Sequence, residues 1–353
     1  MIKIGFYSHT IDFAGTWRSH ERIIQELEKD PRFKTYILYC ENIKNDRLET
    51  CQKLLTNTTF VPFSRSLNKT GPEQGYTPLE TNFKEVCSGL GLDILHFART
   101  GYYEWPFNDR HAPLQVETNI FGADDNSPFL DRSIAISTAI KKIKKLQPDI
   151  LVPNPIPPRS AEYELLKSLR EEYGFLETDV VWGRMGRPAN FHPIGLIAFK
   201  EVQKVVPNLK YLIVGGCEQA KVFVANNNLQ GVVFAEPTND DEWIERFHKT
   251  INVFAHYRFD GETHGTAIAQ ALMYDVPVVS HYAPFNAQAE TIGPGGFCAQ
   301  SVEEYTNTIR QLSLMPDSKR RSIGTKGRIY TEERSGQEKV GKVLAEKYVE
   351  WLK

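Results

Sequence analysis

The sequence lacks the features that mark several large classes of protein. It has no excess of basic residues, with 42 Lys and Arg against 44 Asp and Glu and a net charge of −2, so we do not expect a nucleic-acid-binding protein. It has no apolar run long enough to cross a bilayer. Because the N-terminal segment also shows no secretory signal pattern, we expect a cytoplasmic location.

Cysteine is scarce, and the common nucleotide-binding fingerprints are missing. The five cysteines form neither a CxxC pair nor a zinc-binding spacing, which predicts reduced thiols in the core. No GxGxxG motif follows the glycines at residues 215–216, and no GxxxxGK[ST] motif occurs anywhere. These absences exclude the usual dinucleotide-binding and P-loop motifs.

What the sequence does contain is a series of short apolar runs that alternate with helical periods. Some runs, such as 211–214 and 276–279, are almost continuously apolar, as strands buried on both faces of a parallel sheet are. The alternation predicts an α/β fold of the doubly wound kind. The predicted strands are Ile2–Ser8, Lys34–Cys40, Thr59–Pro62, Asp93–Phe97, Pro113–Thr118, Ser133–Ser137, Ile150–Pro153, Asp179–Trp182, Tyr211–Gly215, Gly231–Phe234, Ile251–Ala255 and Val276–Ser280.

A proline cluster at residues 153–158 predicts a domain boundary, because it can continue neither a helix nor a central strand. We therefore predict a Rossmann-like domain over residues 1–153 and a second one over residues 154–336. An amphipathic helix over residues 337–353 ends the sequence, and the pattern leaves open which domain it covers, with the first domain as one option.

Three segments at predicted strand ends could carry chemistry. Arg184 and Arg187 follow one strand and could clamp phosphate oxygens, although two solvated surface arginines would look the same. Gly215 and Gly216 follow another strand and could let a ligand approach the backbone, although many turns carry glycine for geometry alone.

The third segment, residues 259–272, is the most informative of the three. A helix is predicted from about Gly265 to Tyr274, and its free N–H groups form an anion site. Glu262 precedes it and could accept hydrogen bonds from sugar hydroxyls, or it could simply cap the helix. A rival interpretation uses His256, Asp260, Glu262 and His264 as metal ligands, although no HExxH-like spacing supports it.

Taken in order, these segments resemble the C-terminal half of the retaining, family-4 type of GT-B glycosyltransferases. The resemblance rests on Gly183-Arg184, on the strand and glycines at 212–216, and on Glu262-Thr263-His264-Gly265 followed by the Pro-Val-Val strand at 277–279. It covers residues 180–300 well and the N-terminal half more loosely. It implies two Rossmann-like domains facing each other across a cleft.

The resemblance also implies roles for individual residues. Glu262 would hold hydroxyls of the donor sugar, and Arg184 would bind the diphosphate; we regard these two as the catalytic residues. The other residues that it places at the donor are Arg187, Asn190, Gly215, Gly216, His264, Gly265, Thr266 and Gln270. Two of these depart from the family pattern, since Asn190 stands where the family has lysine and Gln270 stands where it has a second glutamate.

In the N-terminal domain, the resemblance points to Gly15, His96 and Asn119 at the acceptor or donor side. Gly15 could equally be a turn glycine and His96 a structural histidine. His96 precedes a loop at 97–103 whose aromatic and polar residues suit sugars.

The activity implied is metal-independent, cofactor-free transfer of a hexose from a nucleotide diphosphate sugar to a glycan, lipid or small-molecule acceptor. Two alternatives stay open: a GT-B protein that binds nucleotide sugars or glycans without transfer, and an unrelated α/β enzyme such as a phosphosugar epimerase or a metal-dependent hydrolase. A lysine run at residues 141–145 could dock on a membrane, or it could be an ordinary solvated helix face.

Overall fold

Each predicted apolar run forms a strand, and the strands build two separate parallel sheets. The structure is a computed structural model that describes residues 1–8, 11–12, 15–41, 44–67, 78–99, 106, 109–122, 127–143 and 148–353. It divides into unit 1, Met1–Pro157 with Ser335–Lys353, and unit 2, Pro158–Arg334. The boundary thus lies in the predicted proline cluster, slightly beyond the predicted residue 153.

Unit 1 contains a seven-stranded parallel sheet in the order β3-β2-β1-β6-β7-β8-β9. The order reverses direction at the pair β1 and β6, as in doubly wound folds. A small antiparallel pair, β4 and β5, stands outside this sheet. The elements are β1 Ile2–Ser8, α1 Gly15–Leu27, β2 Phe33–Cys40, α2 Leu48–Leu54, β3 Thr59–Phe63, β4 Arg65–Leu67, β5 Pro78–Thr81, α3 Phe83–Leu90, β6 Ile94–Arg99, β7 Leu114–Asn119, β8 Arg132–Ala135, α4 Thr138–Ile143 and β9 Ile150–Leu151.

Unit 2 contains a six-stranded parallel sheet in the order β12-β11-β10-β13-β15-β17, together with the two-stranded pair β14 and β16. Helices follow most strands, as the sequence pattern predicted. The elements are β10 Val180–Met185, α5 Ile194–Gln203, β11 Leu209–Val214, α6 Glu218–Asn226, β12 Val232–Ala235, α7 Asp241–Thr250, β13 Val253–Ala255, β14 Gly261–Glu262, α8 Thr266–Met273, β15 Val278–His281, β16 Phe285–Asn286, α9 Ala287–Ile292, β17 Gly296–Ala299, α10 Val302–Leu314 and α11 Asp317–Ser335.

The terminal helix, α12 Gln337–Trp351, belongs to unit 1 and packs against α1. Its apolar residues Val340, Leu344 and Tyr348 are buried in the same core as Ile24 and Leu27 of α1. The apolar face found in the sequence therefore packs against α1 and against the sheet, where the Tyr348 hydroxyl contacts His96 of β6. All five cysteines are free, with Cys40, Cys51 and Cys87 buried and Cys217 and Cys298 half-buried.

None of the helices in the described part of the chain combines the length and the apolar composition that crossing a bilayer requires. In the lysine run, Lys141 and Lys142 are exposed on α4, next to the buried Ile140. Lys144 and Lys145 lie outside the described residues. Docking on a membrane therefore stays a prediction.

Candidate active site

The strand order of unit 2 creates a crevice at the carboxyl end of its sheet. β10 and β13 are neighbours, with β11 and β12 on one side and β15 and β17 on the other. The loops that follow β10 and β13 therefore diverge, and open α/β sheets bind ligands at such a reversal point. Arg184 lies near the end of β10, and Tyr257 follows β13.

Arg184 is buried, with 3% of its surface exposed, and it is held only by neutral groups. Its Nη1 donates to the carbonyl oxygen of Gly186 at 3.0 Å and to those of Val214 and Gly215 at 3.4 Å. The guanidinium carbon lies 4.7 Å from the centre of the Tyr257 ring, a cation–π contact.

No carboxylate pairs with Arg184 in the described part of the chain, and its Nε has no hydrogen-bond partner there. A buried positive charge without a counter-ion is costly. The arrangement is therefore suited to an anionic ligand. The alternative prediction, that Arg184 and Arg187 are both solvated surface residues, is therefore wrong for Arg184.

The two glycines after β11 are explained by packing inside unit 2. Gly215 has a φ of +72°, and a Cβ there would lie 2.1 Å from the carbonyl oxygen of Gly186. A Cβ on Gly216 would lie 2.3 Å from the ring of Phe234. These contacts require glycine at both positions even without a ligand. The contact between Gly215 and Gly186 also brings the loops after β10 and β11 together next to Arg184. A donor-binding role for the two glycines stays a prediction.

Glu262 is held at the same edge of the sheet by residues from two other segments. β14 pairs with β16, and the backbone N–H of Glu262 donates to Gln288 Oε1 at 3.0 Å. Its carboxylate contacts His256 Nε2 at 3.1 Å and Arg258 Nη1 at 3.4 Å. The side chain stays 18% exposed, so a ligand can reach it. The strands β10 and β13 are adjacent and parallel. The end of β10, which carries Arg184, and the segment after β13, which carries Glu262, therefore lie at the same edge of the sheet.

The helix after Glu262 begins as predicted, within one residue. Gly265 precedes α8 with a φ of +83°, a left-handed conformation that favours glycine. A Cβ on Gly265 would lie 3.6 Å from Glu262 Cβ, so the side chain of Glu262 lies next to the first residues of the helix. No side chain caps the first N–H groups of α8, which begins at Thr266, and they stay available to an anion.

His264 and Gln270 differ in their surroundings. His264 is 5% exposed, and its burial lowers the pKa of its ring to about 4, so it is neutral at pH 7. Its carbonyl oxygen accepts a hydrogen bond from Thr291 Oγ1. Gln270 is half-buried on α8, and its amide makes no hydrogen bond in the described part of the chain. It stays a prediction that these residues bind the donor.

The interpretation as a metal site finds no support in the geometry. Asp260 forms a two-oxygen ion pair with Arg258, with Oδ1 2.5 Å from Nε and Oδ2 2.9 Å from Nη2. This pairing lowers the pKa of Asp260 and raises that of Arg258. Among the residues that the structure describes, no three His, Cys, Asp or Glu side chains converge as metal ligands.

Arg187 and Asn190 lie beyond β10, in the loop that leads to α5. Arg187 is exposed, and its guanidinium makes no ion pair with the described residues, while Asn190 is half-buried in a short 3-10 turn. For Arg187 the solvated interpretation fits this structure, and a role at the donor stays a prediction for both residues.

Sequence reasoning considered His256 only as a metal ligand, and it missed Ser280 and His281. His256 Nδ1 contacts Ser280 Oγ at 2.8 Å, which orients the histidine toward Glu262. His281 ends β15, and its Nε2 accepts from the backbone N–H of Arg258 at 3.3 Å. In the sequence, these residues are marked only by their position at or just after the end of an apolar strand.

In unit 1, two predicted site residues have structural contacts instead. His96 is fully buried, with Nε2 2.8 Å from Thr118 Oγ1 and Nδ1 2.6 Å from the Tyr348 hydroxyl. Both ring nitrogens are thus engaged, which corrects the prediction of an acceptor contact: the ring links β6 to α12. Asn119 is also fully buried, and its Oδ1 accepts from the backbone N–H of Gly122 at 2.7 Å.

Gly15 is the exposed first residue of α1, and a Cβ there would meet nothing within 4 Å. The fold therefore does not require glycine at this position, and its contact with a ligand stays a prediction. Residues 100–103 of the predicted sugar-binding loop lie outside the described residues.

Comparison with known proteins places this geometry in a known fold. Residues 183–329 match the family model described as glycosyl transferases group 1. A glycosyltransferase from Rickettsia africae is similar in structure, with a TM-score of 0.76 at 14% identity over 100% of this chain and 99% of the other. HepE of Anabaena, in complex with UDP and glucose, has a TM-score of 0.70 at 14% identity over 99% and 100%. No curated protein sequence matches the chain significantly.

A further similar structure is sucrose-phosphate synthase from Thermosynechococcus elongatus, with a TM-score of 0.70 at 14% identity over 99% of both chains. At such low identities the likeness shows the fold alone. The chain has the GT-B fold, and the prediction of two Rossmann-like domains is confirmed. Together with the family match, this supports a GT-B glycosyltransferase.

Proposed function

We propose that the protein transfers a hexose-type sugar from a nucleotide diphosphate sugar to a glycan, lipid or small-molecule acceptor, with retention of the anomeric configuration. The match to group 1 glycosyl transferases and the neighbours solved with UDP and sugars support the coarser statement, a glycosyltransferase that uses a nucleotide sugar. The acceptor class, the retention and the independence of metal ions are the finer part of the proposal.

The observation that carries the proposal is the buried guanidinium of Arg184, which has no counter-ion among the residues that the structure describes. It lies at the same edge of the sheet as the uncapped start of α8 and the exposed carboxylate of Glu262. A nucleotide sugar offers two phosphates for the positive groups and hydroxyls for the carboxylate.

In this proposal each group has one task. Arg184 and the first N–H groups of α8 stabilise the negative charge that develops on the diphosphate as its bond to the sugar C1 breaks. Glu262, held by His256 and Arg258, accepts hydrogen bonds from the sugar hydroxyls and fixes C1 for the acceptor oxygen. These groups supply positive charge to the leaving diphosphate without a metal ion.

The test is release of nucleoside diphosphate from a panel of UDP-, GDP- and ADP-sugars, with acceptor sugars present and the product anomer read by NMR. We expect turnover with at least one donor, retention, and the same rate after chelation of metals. Glu262→Gln keeps the shape of the side chain and should lower kcat by about 100-fold or more. The control, Glu303→Gln, changes an exposed residue on α10 and should leave the rate unchanged.

A second candidate function is binding of nucleotide sugars without transfer. Gln270 favours it, because a neutral amide holds ribose hydroxyls with less charge assistance than a carboxylate does. Donor-dependent thermal stabilisation without release of nucleoside diphosphate would establish this candidate. Full turnover in a folded Glu262→Gln variant would overturn the proposed role of Glu262.

A further inference from the structure

His192 lies just before α5 with one ring nitrogen occupied and the other without a partner. Its Nδ1 accepts a hydrogen bond from the backbone N–H of Ile194 at 3.2 Å. The ring packs on that of His281, with 4.8 Å between the centroids and 32° between the planes. Because Nδ1 is the acceptor, the neutral ring carries its proton on Nε2. Nε2 makes no hydrogen bond to any residue that the structure describes.

His281 cannot serve in place of His192. Its Nδ1 donates to the carbonyl oxygen of Tyr282 at 2.9 Å, and its Nε2 accepts from the N–H of Arg258 at 3.3 Å. Both nitrogens are thus engaged, and the side chain is buried. Within this stacked pair, His192 is the half-buried ring with a hydrogen-bond donor to offer.

The ring of Tyr257 packs against Arg184 and against the segment that carries His192. Phe191, the residue before His192, packs edge-on against Tyr257 with 5.9 Å between the centroids. Gly195, on the first turn of α5, lies so close that a Cβ there would be 2.6 Å from Tyr257 Cδ1. The guanidinium of Arg184 lies over the same ring. The segment that enters α5 and the buried cation therefore pack on one aromatic side chain.

We propose that His192 is a diphosphate-binding residue, which donates Nε2–H to a phosphate oxygen of the nucleotide sugar while Nδ1 keeps its hydrogen bond from the N–H of Ile194. This inference rests on the proposed function and adds a specific residue to it. The GT-B pattern places a lysine in addition to Arg184 at the diphosphate, and this chain has Asn190 in place of that lysine.

The neutral ring is the form that binds. Burial lowers the pKa of His192 below its ordinary value, so the ring is neutral at pH 7. A second proton would go to Nδ1 and would break the hydrogen bond from the Ile194 N–H. Among the described residues, the titratable side chain that packs on His192 is His281, which in turn interacts with His256 and accepts from the N–H of Arg258.

The experiment measures binding of UDP and of inorganic pyrophosphate by calorimetry at pH 6, 7 and 8, in buffers with different ionisation enthalpies. His192→Asn keeps an acceptor close to the position of Nδ1 and removes Nε2, whereas His192→Phe keeps the ring that packs on His281. We expect both variants to lose about tenfold in affinity at pH 7 and 8, where the ring is neutral and keeps its Nε2–H. Because the neutral ring binds, the number of protons taken up on binding should be the same in the wild type and in the variants.

His111→Asn is the matched control, because His111 is also half-buried and packs on an aromatic ring, that of Phe83 in unit 1. It should bind UDP as the wild type does. The ratio of wild-type to variant affinity cancels the ionisation of the ligand itself. If His192→Asn and His192→Phe bind with unchanged affinity, the inference is wrong and the proposed function stands. If the wild type binds no UDP, GDP, ADP or pyrophosphate, both fail.

Discussion

Replacing Arg184 by methionine keeps most of the side-chain volume and removes the buried charge. Because no carboxylate depends on that charge in the described part of the chain, the folded state should lose little stability. Exchange of a buried ion for an apolar group of similar size is often nearly neutral, although the Gly186 carbonyl loses a donor. Binding of a nucleoside diphosphate should fall by about 100-fold, since a charge-assisted contact in a buried site is lost.

Calorimetric titration with UDP, GDP and ADP, together with a thermal unfolding scan, separates these two effects. Arg310→Met is the control, because Arg310 is exposed on α10 and bonds only Asn307. Should Arg184→Met unfold while Arg310→Met does not, Arg184 is a structural residue. Unchanged nucleotide affinity in a folded Arg184→Met protein would remove it from the site.

At the scale of residues, the sequence was enough to predict site residues that lie near the end of a strand. Arg184 and Glu262 could be found because Arg184 lies at the end of one apolar run, β10, and Glu262 follows another, β13. The state of His192 could not, because its tautomer depends on an N–H in α5 and its packing on His281 of a distant strand. The engagement of both nitrogens of His96 depends in the same way on Tyr348 at the other end of the chain.

At the scale of elements, Gly215 connects the loops that enclose Arg184. Gly215→Ala places a Cβ 2.1 Å from the Gly186 carbonyl oxygen in a left-handed conformation. The Gly186 loop must then shift, and with it an acceptor of Arg184. We expect a loss of about 1–3 kcal/mol in the free energy of unfolding, and weaker binding of UDP. Urea unfolding and calorimetry measure the two quantities.

Gly89→Ala serves as the control for this substitution. Gly89 lies in α3 of unit 1 with an ordinary φ, and a Cβ there would meet nothing within 4 Å, so alanine should stabilise slightly, by up to about 1 kcal/mol. A Gly215→Ala protein as stable as the wild type would show that the Gly186 loop is free to move and does not brace Arg184.

The long strands could be predicted because strands buried on both faces are almost continuously apolar. The sequence analysis missed the antiparallel pair β4 and β5 and the strands β14, β16 and β17. The strands β14 and β16 contain two residues each, and β4 and β5 contain three and four, too few for a pattern. The strand β17 lies at a sheet edge, begins with Gly296 and leaves Phe297 partly exposed. The short pair β14 and β16 nevertheless positions Glu262, so one part of the site could not be derived from periodicity.

At the scale of the whole molecule, composition and the proline cluster were enough to predict two α/β units. They could not predict which unit α12 packs on. An amphipathic pattern shows that one face of a helix is buried, but it does not identify the surface that buries it. The deciding contacts join residues far apart in the sequence. A Cβ on Gly341 would lie 2.2 Å from Glu26 Cβ, so the close approach of α12 to α1 requires a glycine that has no visible role in the sequence.

Both units should lose stability in mild acid, because each buries histidines in the neutral form. Burial lowers the pKa of His20 and His248 to about 3, and that of His264 and His281 to about 4. In the unfolded chain these groups titrate near 6.5. Below that pH the unfolded state binds protons that the folded state does not, so the free energy of unfolding falls as the pH drops from about 6.5 toward 4.

The expected slope is about 1.4 kcal/mol per pH unit for each such histidine. Unit 1 contains His20 and also His96, whose pKa burial lowers well below its ordinary value, and unit 2 contains the other three, so both units should lose stability. Urea unfolding at pH 7, 6 and 5 measures the slope. His248→Phe keeps an aromatic ring on Tyr274, where the ring centroids are 4.8 Å apart. This variant should lower the slope by about 1.4 kcal/mol per pH unit, with little change in the free energy of unfolding at pH 7. A stability that stays constant between pH 7 and 5 would mean that these rings gain protons in the folded state, which their burial opposes.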